Sequence, residues 1–279
     1  TMENFLVHPQ GAATRRVGTQ HIAEVKDSTK KTRLIPFEFS TTQTYILEFG
    51  DQYMRVYKDK GQVLSGSSPF EISTPYLEAE LFDLKFAQSA DVLYICHPNH
   101  DVRKLSRTGH TNWTLATVSF SGSPSLPISG ADNRPSCVSF FEQRLVFANT
   151  NNNPQTLWFS KAGDYENFTT GTNADDAMIY TIASNQVNAI QYLKAVRTLV
   201  VGTSGGEFTV SADGTDASIT PTNVTIKRQS SFGSAGVDAI PAGNAVLFLQ
   251  KAKRKIRELA YNFDSDGYVA PDLTILNES

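Results

Sequence analysis

The chain has 279 residues, 40% hydrophobic and 19% charged, which excludes a disordered or fibrous polypeptide and allows a core that needs no staples. Its 25 Lys and Arg against 28 Asp and Glu leave a formal net charge of −3, without the basic excess of a dedicated polyanion binder. The two cysteines, Cys96 and Cys137, have neither CxxC nor zinc-type spacing, so a disulfide scaffold is excluded and both are expected as buried small hydrophobes.

The opening TMENFLVHPQGAATRR lacks a charged segment followed by an apolar one, so no signal peptide is expected. No apolar run approaches the roughly 18 residues of a membrane helix, and no membrane anchor is expected. Residues 1–30 are read as an N-terminal segment that closes a ring by pairing with a distant strand, and residues 31–279 as the main domain. The start on Thr1 and the stop at ILNES predict a piece of a longer polypeptide.

From there the chain reads as strands. RLIPFEF (33–39), TYILEFG (44–50), QYMRVYK (52–58), DVLYIC (91–96), QRLVFAN (143–149), QTLWFSK (155–161), RTLVVGT (197–203), GEFTVSA (206–212) and NAVLFLQ (244–250) are short alternating or continuous apolar runs. Val, Ile, Phe, Tyr and Thr crowd them, as strand interiors prefer. Turn chemistry separates them: NNNP (151–154), SGG (204–206), DG (213–214) and DSDG (264–267). Residues 76–87 have some helical periodicity, but LFDLKFA also alternates, so a strand is expected from about Leu81. Strongly apolar strands centre near Ile46, Leu93, Leu145, Leu199 and Val246. A repeat of roughly 40–55 residues with several strands per unit is the signature of a β-propeller. The expected fold is all-β, a β-propeller of about five or six blades of antiparallel strands, with a β-sandwich as the alternative.

The chemical motifs are weak. Gly202-Thr-Ser204-Gly-Gly206 matches G-x-S-x-G, but a hydrolase elbow opens a helix and here EFTVS follows, so a hairpin turn is expected. His97 and His100 flank Pro98 and Asn99 beside Cys96, with His110 ten residues on. Three such residues could hold zinc, yet solvated loop histidines are the favoured reading, and neither a metal nor any cofactor is expected. Asn262 to Gly267 resembles the start of a calcium loop, but the expected bidentate acid falls at Leu273. Ser106 to Trp113 is similar to the Asp-box of sialidase-like propellers without its aspartate. Asp175 and Asp176 read as a loop, and no catalytic set can be assembled. The densest basic run is 251–257. Lys251, Lys253, Arg254 and Lys255 are the candidate nucleic-acid contacts, and a solvated hairpin tip is the favoured reading, with Ile256 and Tyr261 packed inward or against neighbouring strands.

Five strings, NFLVHPQGAATRRVGT (4–19), RLIPFEFSTTQTYILEFGDQYMRVY (33–57), RKLSRTGHTNWTL (103–115), LWFSKAGDYENF (157–168) and ELAYNFDSDGYVAPDLTIL (258–276), resemble the tail nozzle or hub proteins of short-tailed bacteriophages and prophages, also called tail tubular protein B. Val17 departs from the proline usual after the paired arginines. The resemblance implies a β-propeller in a homo-oligomeric ring, a hexamer in the full-length protein. That ring lies below the portal and adaptor proteins and forms the tube through which double-stranded DNA leaves the capsid without specific binding. It implies a non-enzymatic structural role, a location in the virion tail, and host cytoplasm during assembly. It also implies that this chain is an N-terminal fragment of such a protein. The alternative is a glycan-binding or glycan-cleaving propeller acting on host surface polysaccharide.

Overall fold

The computed structural model describes residues 3–8, 10–122, 128, 130–183, 188–214, 218–264 and 267–275. Five antiparallel sheets follow one another along the chain. The first blade has strands Arg33–Glu38, Thr44–Gly50 and Tyr53–Lys58, with the short strands Gly61–Gln62 and Glu71–Ser73 on its outer edge. The second has Lys85–Ser89, Val92–His97, His100–Gly109 and Asn112–Thr117. The third has Cys137–Phe141, Arg144–Ala148, Thr156–Phe159 and Met178–Thr181. The fourth has Ile190–Ala195, Leu199–Thr203, Gly206–Ala212 and Val224–Ser230, and the fifth Ile240–Ala242, Ala245–Leu249, Ile256–Asn262 and Gly267–Val269. In the second to fifth blades the strands pair in sequence order, the up-and-down meander of a propeller blade.

Ile46, Leu93, Leu145, Leu199 and Val246 all lie in the second strand of their blade, as the periodicity predicts. In the second, third and fourth blades these strands are apolar because neighbouring blades cover both faces. One core joins the first blade to the second through Phe37, Leu47, Met54, Leu93 and Leu105. Further cores join the second to the third (Tyr94, Leu145, Trp158), the third to the fourth (Phe159, Leu199, Val201) and the fourth to the fifth (Tyr192, Val246, Phe248). Leu34 is 63% exposed and shares its face of the first blade with exposed Ile46; Ile240, 64% exposed, lies on the fifth-blade face turned away from the fourth.

Two readings need correction. Residues 78–83 form a 3₁₀ helix, Glu78–Asp83, and the strand begins at Lys85 rather than Leu81. Leu81 and Leu84, both fully buried, lie three residues apart, the spacing that a 3₁₀ turn puts on one side. Ile256 and Tyr261 are 43% and 51% exposed on opposite faces of their strand, so neither is packed inward; Tyr261 does set its ring edge-on against Tyr268 of the neighbouring strand, with centroids 5.7 Å apart. In the N-terminal segment, strand Phe5–Val7 pairs with Ala13–Arg15. The segment meets the first blade further on, where Lys26 bonds Glu71 at 2.5 Å, and just beyond it the Lys31 amide donates to Glu78 of the 3₁₀ helix at 2.9 Å.

Candidate functional site

The innermost strands of the second, third and fourth blades contact each other in turn, so their side chains share a central space. A cavity of ≈ 350 Å³ opens there, lined by Pro36, Glu38, Phe86, Gln88, Phe140, Lys194 and Asp238, among others. At its edge Lys85 donates to the Gln191 carbonyl (3.3 Å), the Gly236 carbonyl (3.1 Å) and Asp238 (2.6 Å). One ammonium therefore gathers the second blade, the fourth blade and the approach to the fifth. Arg33 donates to the carbonyls of Leu81 and Leu84 at 2.8 and 2.7 Å with its guanidinium over the Phe86 ring. Burial pulls its pKa down, and Asp238 opposes that shift. The cavity falls at the lower end of the size range of small-molecule sites.

The basic run sits where the sequence puts it, in the turn between Ala245–Leu249 and Ile256–Asn262. Lys253 has φ 58°, and its amide closes the turn on the Gln250 carbonyl at 2.7 Å. Lys251, Lys253 and Arg254 are exposed and make no ion pair among the described residues. Lys255 differs: it is partly buried and binds Asp272 at 2.9 Å. Lys255 and then Thr274 hold the Asp272 carboxyl down at about 2. The four candidates therefore form three free cations and one neutralised one.

Ser204 and Gly205 are the two-residue tip of the hairpin joining Leu199–Thr203 to Gly206–Ala212. Gly206 is required because a Cβ there would lie 2.5 Å from the Ser230 carbonyl. Trp113 of the Asp-box-like string packs edge-on against Phe37 at 4.9 Å and Tyr45 at 5.3 Å, and its Nε1 donates to the His110 carbonyl. Ser265 and Asp266 of the calcium-loop string lie outside the described residues.

The histidine expectation changes in two respects. His110 is apart from the other two, 2.7 Å from the Tyr45 hydroxyl. His97 is not a solvated loop residue: it is 2% exposed. His97 and His100 face each other across a two-residue turn, and Glu80 of the 3₁₀ connector reaches His100 Nε2 at 2.8 Å. Burial pulls the His97 pKa down. Burial also opposes ionisation of Glu80, but hydrogen bonds from the Leu77 amide, His100 and Asn99 outweigh it and bring its carboxyl to about 2. Sequence spacing could not find Glu80, which lies 17 residues before His97 on a different element.

No protein-family model matches the chain, and no curated protein matches it. Among solved structures it is similar to the Swd1 (Cps50) β-propeller domain of Myceliophteria thermophila, at 10% identity and TM-score 0.47, over 82% of this chain and 69% of that one. It is also similar to BamB from Moraxella catarrhalis, at 11% identity and TM-score 0.44, over 91% of this chain and 64% of that one. A third is YCF48 bound to D1 peptide, at 10% identity and TM-score 0.44, over 93% of this chain and 77% of that one. The successive four-stranded meanders, packed face to face around a common centre, make the fold an all-β propeller.

Proposed function

We propose that this chain is a non-enzymatic structural component of a short phage tail, part of the nozzle or hub ring below the portal and adaptor. The observation that carries the reading is the ordered set of five strings resembling that family. Four of them reach blade elements: 33–57 the inner strands of the first blade, 103–115 the outer hairpin of the second, 157–168 the third strand of the third blade and the segment after it, and the described part of the last string the fifth. The portal, the adaptor and further copies of the chain are the proposed partners, and the virion tail is the proposed location.

The propeller's own axis is not the conduit in this reading. A cavity of ≈ 350 Å³ bounded by the Lys85 contacts has no room for a duplex. The DNA path is instead the lumen enclosed by several copies, and a net charge of −3 does not hold the cargo.

The test is electron microscopy of the protein co-expressed with the portal and adaptor of the same genome. A six-fold ring docked on the adaptor supports the proposal; a protein that stays apart from both overturns it. The second reading, a glycan-binding propeller, draws on the cavity, which combines Phe86 and Phe140 with Glu38 and Asp238. A glycan array that lights up for the wild type and goes dark for Phe140→Ala favours this second reading.

A further inference from the structure

We propose that Glu80, His97 and His100 form a binding site for a first-row divalent transition metal of the Zn²⁺ class. The site ties the connector between the first and second blades to the hairpin of the second. One nitrogen of each imidazole and one carboxylate oxygen of Glu80 all lie within 4.8 Å of one another. Two elements create this. His97 and His100 are directly opposed residues closing the Pro98–Asn99 turn, so their side chains leave the sheet on one face, with ring centroids 5.2 Å apart. The 3₁₀ helix Glu78–Asp83 delivers the carboxylate to that face.

The ligand set has the right chemistry. Two imidazoles and a carboxylate are a recurring three-residue zinc set whose fourth position is filled by water. Glu80 is held in place before any ion arrives, since the Leu77 amide donates to Oε2 at 3.0 Å and the Asn99 side chain to Oε1 at 3.1 Å. Outer hydrogen bonds of this kind orient a metal ligand. Glu80 and His100 keep side-chain exposures of 15% and 22%, which provides an entry route.

His97 supplies the independent observation. Its Nε2 is buried and has no hydrogen-bond partner. Its Nδ1 accepts the Asn99 amide at 3.1 Å, which leaves the ring proton on the unpartnered Nε2. A buried donor without an acceptor is costly, so the observed arrangement is poorly satisfied. Ligation through Nε2, with the ring proton moved to Nδ1, resolves it. This requires the Asn99 amide to turn away, and Asn99 lies in the two-residue tip of a hairpin. Tetrahedral ligands at about 2.0–2.1 Å from zinc are roughly 3.3 Å apart. Side-chain rotation of His97 and His100 therefore has to draw the set together.

The test is calorimetric titration of Zn²⁺ into the metal-stripped chain, with Co²⁺ absorption in parallel. One equivalent should bind with micromolar or tighter affinity. Glu80→Gln and His100→Ala should each weaken it at least tenfold, while His8→Ala and His21→Ala leave it unchanged. In the wild type, Co²⁺ should give the intense visible bands of a low-coordinate ion and broaden the NMR signals of the His97 and His100 rings, a readout that needs no variant to fold. Absence of stoichiometric binding, Co²⁺ broadening centred on other histidines, or equal affinity in the Glu80 and His100 variants would overturn the proposal.

Discussion

Lys85 Nζ lies 2.6 Å from Asp238 Oδ1, joining the innermost strand of the second blade to the loop that leads into the fifth, 153 residues later. The same ammonium also donates to two carbonyls, so it acts as a hub between blades rather than a simple surface pair. The Lys85 side chain is only 10% exposed, but that of Asp238 is 44% exposed, so water screens part of the attraction.

Lys85→Met should therefore destabilise the protein by about 1–3 kcal/mol, well below the loss for a fully buried pair, because two carbonyls lose their donor and Asp238 stays hydrated. Asp238→Asn should cost less, since Lys85 keeps both carbonyls. Urea unfolding of the two variants checks the order, and a larger loss for Asp238→Asn would contradict it.

Arg144 is 1% exposed, and its guanidinium donates to the carbonyls of Ser160 (2.8 Å), Ala174 (2.6 Å), Asp175 (3.2 Å) and Asp176 (2.6 Å). It is the internal scaffold of the 174–176 loop. Arg144→Met leaves four carbonyls without this donor and should cost about 3–5 kcal/mol. Arg144→Lys should recover part of that, because an ammonium has no fork to span the set. Thermal unfolding of both variants measures the difference.

Glu207 is fully buried, and burial raises its pKa against the opposing hydroxyl bonds from Ser230 and Ser234. A raised folded-state pKa means that the protonated form stabilises the fold. That contribution is complete below the unfolded value, about 4.3, and is lost as pH rises through the folded pKa. Glu207→Gln stays neutral throughout. Its stability relative to wild type should therefore improve steadily as pH rises from acid to neutral, in chemical denaturation at a series of pH values. A gap that stays constant or moves the other way refutes the assignment.

Cys96 and Cys137 are both buried and unpaired. Burial raises both thiols, Cys137 to about 11 and Cys96 well above its ordinary value. Thiolate is the reactive form, so a maleimide or aromatic disulfide reagent should modify neither residue in the native protein and both after unfolding. Fast native labelling of either would mean that the core between blades opens.

The basic tip offers three free cations, since Lys255 is engaged by Asp272. Binding of duplex DNA through three phosphates should have a salt slope no steeper than about −3 and an affinity of roughly 10⁻⁴ M or weaker at physiological salt. Changing Lys251, Lys253 and Arg254 to Ser should alter little. Micromolar binding that these substitutions abolish would make the tip a DNA contact.

The strand positions were legible because each depends on a local pattern. Val200, Val201 and Leu199, or Leu145, Val146 and Phe147, are continuous apolar runs bounded by turn residues, and no distant contact is needed to recognise them as strands buried on both faces. The basic tip was legible for the same reason, as charges between two strand patterns. What the tertiary structure alone decided depends on register and on elements far apart in the chain. LFDLKFA alternates well enough to pass for a strand, and only packing of Leu81 and Leu84 into the first core makes its start a 3₁₀ turn. Lys85 gave no sign of its three partners more than 100 residues away. His97 and His100 could be seen as a pair, but their burial and the arrival of Glu80 follow from how the connector packs on the second blade. Spacing along a strand-rich chain does not encode such juxtapositions, because residues that meet between blades are joined by intervening turns of arbitrary length.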